Sequence, residues 1–487
     1  MFWRGILGYL PMNVVQGLVG LASIVVFTRW LSPADYGVYA LSFSAMSLAH
    51  TLVFTWMEAA MARFYAPEAE AKRLPEHFAT IYRCWALAAV AFIVLAGGTL
   101  WLWRADSGLK LAIGAGLAAI LARSLLKLNT ERRRAAGDVR GAALTDMAQT
   151  LGGFAIGAGL IVAGLRGAAP VAGMGAAAAV VLMFLLPTEL RHRRGGAFSP
   201  ARARAYAAYG VPVALSLILG LALATTDRFL LAAYLGDTAV GVYHAGYSLA
   251  NRTLDVMFIW LGAAGGPALI VALERGGSDA LEKAAREQAS FMVALALPAA
   301  TGLALVARPL AEVMVGPALR AGAAQVTPWI AASALFAGLT TYYSHQAFTL
   351  GRRTGLLLLA MAVPAAANIA LCLVLIPRFG LPGAMWATTA SYAVGLAASL
   401  VLGRLARALP IPLMSVAKAA LASALMAAAV AALPAPGGAV ELALKAGVGV
   451  FAYGLAACAL DVGGLRSRAG DLAATLRSRR SLRSAAT

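Results

Sequence analysis

The sequence predicts an all-α protein that crosses a membrane about fourteen times. Of its 487 residues, 61% are hydrophobic and 13% are charged, and the mean hydropathy is +0.78. Soluble globular proteins carry about 25% charged residues, so this chain has too few charges for a surface that faces water. Apolar runs of about 20 residues, the length that a helix needs to cross the bilayer core, recur along the chain between short polar segments.

Fourteen apolar runs are predicted as transmembrane spans. The first begins near Ile6 and is too long for the core of a cleaved signal peptide, so it is assigned as span 1. All connecting segments are short, which leaves no room for a catalytic domain outside the membrane. The predicted spans are 5–28, 36–62, 80–103, 109–129, 142–165, 169–190, 206–234, 240–272, 287–307, 322–349, 354–376, 382–403, 413–433 and 440–460.

The net charge of +19 is distributed asymmetrically about these spans. With the N-terminus in the cytoplasm, 30 of the 40 Lys and Arg residues lie in or next to cytoplasmic segments, and Arg228 and Arg252 lie within spans. This asymmetry matches the positive-inside rule; it therefore predicts that both termini are cytoplasmic and argues against nucleic acid as a partner. The eight on the opposite side are Arg29, Arg104, Lys110, Arg166, Arg308, Arg320, Arg378 and Lys445.

An internal repeat predicts two related halves. Residues 31–56 align without a gap with residues 235–260 at an offset of 204, with seven identities. The repeat superimposes spans 1–2 on spans 7–8, and an offset of six spans preserves orientation. Parallel repeats of this kind are typical of alternating-access transporters. The predicted organisation is two six-helix lobes around a central cavity, two additional helices and a basic cytoplasmic tail, at 1–205, 206–408, 409–462 and 463–487.

The sequence contains no recognisable catalytic or metal-binding constellation. It lacks the phosphate-binding G-x-x-x-x-G-K-[ST] motif and the H-E-x-x-H and C-x-x-C motifs. Its five histidines are scattered, and its three cysteines lie in apolar stretches. We therefore predict no catalytic residues, no metal and no cofactor, and a protein that is not an enzyme.

Among the ionisable residues within predicted spans, five stand out: Glu58 in span 2, Asp227 and Arg228 in span 7, and Arg252 and Asp255 in span 8. A charge at the centre of a helix costs about 2.5–3.5 kcal/mol on insertion scales, so these residues should face an interior cavity. They could neutralise one another, since Arg252 and Asp255 are three apart on one helical face. They could instead handle a charged substrate or an ion.

Three segments resemble the polysaccharide and O-antigen flippases of the multidrug/oligosaccharidyl-lipid/polysaccharide exporter superfamily. They are LSPADYGVY at 31–39, DRFLL at 227–231 followed by VGVYHAGYSL at 240–249, and IPRFGLPGAMWAT at 376–388. The resemblance covers spans 1 to 12. It implies a bacterial inner-membrane protein that moves a polyprenyl-diphosphate-linked oligosaccharide, such as an O-antigen, capsule or exopolysaccharide repeat unit.

The resemblance gives the charged residues expected roles. Arg228 and Arg252 are predicted to bind the diphosphate or acidic sugars of the substrate, because the planar guanidinium suits phosphate oxygens. Asp227, Asp255 and Glu58 are candidates for proton or sodium coupling. Expected partners are the lipid-linked oligosaccharide and membrane lipids, with polysaccharide polymerase machinery as a candidate further contact.

Other functions remain open at this point. Within the same superfamily the alternatives are a lipid II flippase and a drug/cation antiporter. A glycan polymerase or ligase belongs to another class; such enzymes usually carry a large periplasmic loop with Arg and His residues, whereas the outward connections here are short and contain no His. A structural membrane scaffold would not require charges within spans.

The charge asymmetry predicts the side on which each connection lies. A reporter fused after Arg194 or Gly277 should report the cytoplasm, and one fused after Asp237 should report the periplasm. Paired alkaline phosphatase and fluorescent-protein fusions measure this directly. A cytoplasmic location for Asp237 would rule out the fourteen-span arrangement.

Overall fold

The computed structural model describes residues 2–104, 106–192 and 195–464. These residues form α-helices with short 3-10 and π segments, and none of the residues in those ranges forms a strand, so the predicted all-α fold is confirmed. Most of the predicted basic tail lies outside the described residues. The helices are α1 (Phe2–Trp30), α2 (Pro33–Val53), α3 (Thr55–Glu70), α4 (Leu74–Leu102), α5 (Ser107–Ala135), α6 (Val139–Val162), α7 (Ala169–His192), α8 (Pro200–Leu235), α9 (Asp237–Leu305), α10 (Ala307–Met314), α11 (Arg320–Leu339), α12 (Gln346–Leu350), α13 (Thr354–Phe379), α14 (Leu381–Ala406), α15 (Leu413–Ala431) and α16 (Gly438–Ala459).

Polar residues in the short connections start several helices. The Ser32 hydroxyl accepts a hydrogen bond from the backbone N–H of Asp35 at the start of α2, and Pro33 occupies the first helical turn. Asp106 and Asp138 cap α5 and α6 in the same way. Side-chain oxygens at these positions satisfy N–H groups that have no partner within the helix. The polar breaks in hydropathy are therefore helix boundaries.

Eleven helices in the described part of the chain are long and apolar enough to cross a membrane, or twelve if α2 and α3 form one span bent by 48°. Two differences separate this number from fourteen. The 69-residue α9 counts once although it contains two predicted spans, and it is interrupted by Gly277 at φ 68° and ψ −155°, a conformation that suits glycine. The second difference is α6, which is not among the twelve. The count of fourteen stays a prediction.

The helices group into two compact units. One contains the described residues of Met1–Ala245 together with Met314–Leu319 and Ala365–Ala387. The other contains those of Gly246–Val313, Arg320–Pro364 and Thr388–Thr487. The residue ranges of these units are not those of the predicted lobes, because each unit contains several separate stretches of the chain. The lobe boundaries at 205 and 408 stay a prediction.

The first unit contains a close helix crossing formed by repeat-related residues. A side chain at Gly37 of α2 would overlap the carbonyl oxygen of Asp237, and one at Gly241 of α9 would overlap the carbonyl oxygen of Pro33. Gly37 and Gly241 are equivalent at the offset of 204, and so are Pro33 and Asp237. The crossing is therefore symmetric, and absence of a Cβ on both glycines allows the two backbones to touch.

The second unit is held together at one end by carboxylates that accept backbone hydrogen bonds. Glu312 of α10 accepts from the backbone N–H of Gly438 at 2.6 Å and from Arg308 at 3.0 Å. These donors lower the pKa of the Glu312 carboxyl, with the Gly438 N–H as the main cause. Glu441 accepts from Gly437 and from Lys445. Negative charge at the N-terminus of α16 is favourable because it complements the helix dipole.

The crossing predicts an unequal response to added methyl groups. Gly37→Ala and Gly241→Ala should each destabilise the protein by about 1–3 kcal/mol, because the extra carbon must displace backbone. Gly159→Ala in α6 is a matched control, since its Cβ would meet no heavy atom within 4 Å, and alanine favours helix over glycine by up to about 1 kcal/mol. The midpoint of thermal unfolding in detergent measures both. Equal midpoints for the three variants would contradict the proposed contact.

Candidate functional site

Asp227 and Arg228 lie deep within α8, in the first unit. Asp227 is fully buried and Arg228 is 4% exposed. The Asp227 carboxylate accepts a hydrogen bond from the Tyr243 hydroxyl at 2.6 Å and another from the backbone N–H of Arg228 at 2.7 Å. The Arg228 guanidinium donates to the Ala224 carbonyl and lies 3.8 Å from the Asp227 carboxylate. Adjacent opposite charges therefore share one buried site.

Arg252 and Asp255 lie on α9, in the second unit, and both side chains are exposed. Asp255 accepts a hydrogen bond from the Asn251 amide. Within the described part of the chain, Arg252 forms no ion pair and no hydrogen bond through its side chain, so the pairing of Arg252 with Asp255 that their spacing allowed is not formed. Arg252 is consequently a cation in an apolar helix whose donors remain available.

Glu58 lies one turn beyond the bend between α2 and α3. The residue is 7% exposed, and its carboxylate lies 2.8 Å from Nε2 of His50 on the preceding helix. Arg123 of α5 is close enough to Glu58 and to Tyr39 to interact electrostatically with both. The structure therefore brings together Glu58, His50 and Arg123 within the first unit, although His50 gave no signal in the sequence.

A second buried polar group lies close to Asp227. Cys372 of α13 interacts electrostatically with Asp227, and Asn368 precedes Cys372 by one helical turn on the same face. Asn368 is fully buried, and neither its amide oxygen nor its amide nitrogen has a hydrogen-bond partner among the described residues. An unsatisfied buried amide costs about 1–3 kcal/mol, so this position is suited to a water molecule or an ion.

The first unit also contains a buried ion pair that no pattern in the sequence indicates. Arg132 of α5 donates two hydrogen bonds to Glu189 of α7, at 2.6 and 3.0 Å, and the Tyr82 hydroxyl of α4 donates a third to the same carboxylate. Arg202 of α8 forms a similar two-bond pair with Glu68 of α3. Two parallel hydrogen bonds between guanidinium and carboxylate fix geometry as well as charge. These pairs link helices far apart in sequence, which a hydropathy pattern does not detect.

Metal coordination by the usual strong ligands is not found at this site. In the ranges that the structure describes, no group of three or more His, Cys, Asp and Glu residues could hold a metal ion. The candidate residues instead form two separate groups, Arg228 with Asp227 in the first unit and Arg252 with Asp255 in the second. Such an arrangement can bind anions and small cations.

The apolar helices and their order are those of a multi-pass membrane protein, and solved structures of transporters have a similar fold. A lipid II flippase MurJ in an inward closed conformation has a TM-score of 0.74 at 14% identity, covering 92% of this chain and 98% of that one. An inward-facing multidrug resistance MATE family transporter of the MOP superfamily has a TM-score of 0.64 at 14% identity, covering 82% and 97%. A MOP superfamily transporter from Pyrococcus furiosus has a TM-score of 0.58 at 14% identity, covering 82% and 95%.

Residues 26–320 match the family described as polysaccharide biosynthesis protein, and the chain belongs to this family. The matched range includes all five candidate site residues. Among curated proteins, no significant match is found. The family predicted from the three sequence segments is therefore confirmed, as is the superfamily fold.

Proposed function

We propose that the protein is a flippase that moves a polyprenyl-diphosphate-linked oligosaccharide across the bacterial inner membrane by alternating access. Family membership and the transporter fold support a flippase or exporter. The observation that carries the cargo assignment is Arg252, an exposed guanidinium in an apolar helix with no ion pair among the described residues. The termini are proposed to lie in the cytoplasm, and the protein is proposed not to be an enzyme.

The physical reason is the cost of moving an anionic head group through a membrane. A diphosphate must exchange its hydration for fixed cations, and arginine offers several donors in a planar arrangement that fits phosphate oxygens. Arg252 is proposed to bind this group. Arg228 is proposed as a second ligand; in the present conformation its guanidinium donates to the Ala224 carbonyl, so binding substrate there requires that this hydrogen bond be replaced.

The alternatives within the superfamily predict other substrates. Lipid II also carries a diphosphate, whereas the cationic substrates of a drug/cation antiporter would be repelled by an unneutralised Arg252. A glycan polymerase or ligase would need catalytic residues in the outward segments. Arg252 therefore favours an anionic lipid-linked cargo, and analysis of a deletion strain for accumulated lipid-linked repeat units would identify which glycan it carries.

Substitutions of the two arginines test the cargo assignment. Arg252→Ala and Arg228→Ala should lower export of surface polysaccharide about tenfold or more at normal protein level, because a hydrogen bond to a charged group contributes about 1.5–3 kcal/mol. Lysine at either position should restore export only in part. Arg275→Ala, which removes an exposed charge near the end of the same α9 span, is the control and should export normally.

The double variant Arg252→Ala/Asp255→Ala separates substrate binding from charge neutralisation. If Arg252 only neutralises Asp255, removing both should restore export. If Arg252 binds substrate, export from the double variant should stay low. Normal export from the double variant, with low export from Arg252→Ala alone, would refute the substrate-binding role.

Asp227 is the proposed ligand of the coupling cation, a proton or Na⁺, among the three candidate carboxylates. Glu58 already has His50 as a partner, and Asp255 is exposed and bound by Asn251. Asp227 is buried and interacts electrostatically with Cys372, one helical turn after Asn368, whose buried amide oxygen has no hydrogen-bond partner among the described residues and is proposed as a neutral oxygen ligand. Hard cations such as Na⁺ prefer carboxylate and amide oxygens.

Cation binding should appear as stabilisation of the folded protein. If the ion is Na⁺, the midpoint of thermal unfolding should rise when NaCl replaces choline chloride. If the ion is a proton, the midpoint should rise when the pH falls. In both cases the reason is that a ligand that binds only the folded state stabilises it. Asp227→Asn should remove the response and Asn368→Ala should weaken it. Glu58→Gln and Asp255→Asn are matched controls expected to retain it. A full response in Asp227→Asn would exclude Asp227 as the ligand.

A further inference from the structure

Arg123 is a second cation without a hydrogen bond inside an apolar helix. It lies 16 residues after the start of α5 at Ser107, which is about 24 Å along the helix axis at a rise of about 1.5 Å per residue. The helix is long and apolar enough to cross a membrane. Arg123 therefore lies within the helix, about 24 Å from Ser107 and about 18 Å from Ala135, and not at either end.

The other cations of this part of α5 have carboxylate partners. Lys127 and Arg134 both pair with Glu131, at 3.2 and 2.9 Å, and Arg134 also pairs with Asp146 at 2.7 Å. The pairs of Arg132 with Glu189 and of Arg133 with Asp138 complete the set. Arg123 is half-buried and forms neither a hydrogen bond nor an ion pair within the described ranges.

The residues around Arg123 interact with its positive charge but accept no hydrogen bond from its guanidinium within the described ranges. Glu58 and Tyr39 interact with it electrostatically, but the Glu58 carboxylate is bound to His50 and lies outside ion-pair distance of the guanidinium. A guanidinium held inside the membrane with free N–H donors cannot face hydrocarbon, because the cost of desolvation would be several kcal/mol. It must face a space that water or an anion can enter.

Arg123 also continues a line of basic residues toward one end of the helix. Arg123, Lys127 and Arg134 lie on one face of α5, since they follow one another at spacings of four and seven positions. The predicted topology places the Arg134 end in the cytoplasm. The ion pairs of Lys127 and Arg134 thus lie toward the cytoplasmic end of this face. The Arg123 guanidinium lies farther from that end, where a phosphate group that enters from the cytoplasm would reach it.

We infer that Arg123 is an anion-binding residue of the first unit that contacts the phosphate groups of the cargo. The inference rests on the proposed function and adds to it a binding position that is separate from Arg252 in the chain. The guanidinium donates hydrogen bonds to phosphate oxygens, and Glu58 helps to hold the side chain inside the span when no anion is bound.

Binding to purified protein in phosphatidylcholine nanodiscs tests the inference. The probes are a synthetic polyprenyl diphosphate, the corresponding neutral polyprenol and phosphatidylglycerol, which distinguishes cargo phosphate from bulk anionic lipid. Arg123→Gln should weaken diphosphate binding about tenfold or more and leave polyprenol binding unchanged. Arg123→Lys should recover part of the affinity, which also shows that the site folds. Lys110→Gln, a charge removed from the other end of α5, should bind like the unsubstituted protein.

The outcomes separate this inference from the proposed function. If the unsubstituted protein binds diphosphate and Arg123→Gln binds it equally well, the role of Arg123 is overturned and the flippase proposal stands. No diphosphate binding by the unsubstituted protein would overturn both. An equal loss of phosphatidylglycerol and diphosphate binding in Arg123→Gln would assign the residue to bulk lipid and would overturn its assignment to cargo.

Discussion

The cost of burying charge in an apolar environment organises this structure. A charged side chain in the bilayer must be neutralised, hydrogen-bonded or hydrated. The first unit meets this requirement with pairs such as Arg132 with Glu189, and with the Tyr243 hydroxyl on Asp227. Each of these contacts joins two helices, so neutralising a charge also fixes helix packing.

Two arginines depart from this rule, and the departure is what carries functional meaning. Within the described chain, Arg252 and Arg123 keep their donors available although both lie in apolar helices. Replacing a buried ion pair with apolar residues is often neutral or stabilising, so stability alone does not explain retaining a cation that has no partner. The proposed anionic cargo would explain it, because a bound anion would supply the missing charge only for part of the proposed transport cycle.

The sequence predicted the fold well because hydropathy and helix capping act locally. Apolar runs and the residues that start helices, such as Ser32, can be found without knowledge of distant contacts. The partners of the charged residues could not be predicted from the sequence, for the opposite reason. The partner of Asp255 proved to be Asn251 and not Arg252, and the positions of Glu189 and Asn368 depend on packing between helices distant in sequence. Composition identifies a charge within a span, but only tertiary structure identifies its partner.

The repeat shows which features the two halves share. Gly37 and Gly241 are identical because each must let a backbone carbonyl approach, and the same contact occurs twice at their crossing. The charges are not repeated, since the equivalents of Arg228 and Arg252 are Ile24 and Leu48. At this crossing the helix packing is therefore symmetric, while the charges of the two repeats are not. For the proposed flippase, an asymmetric distribution of charge would suit an anionic lipid that is held in one orientation.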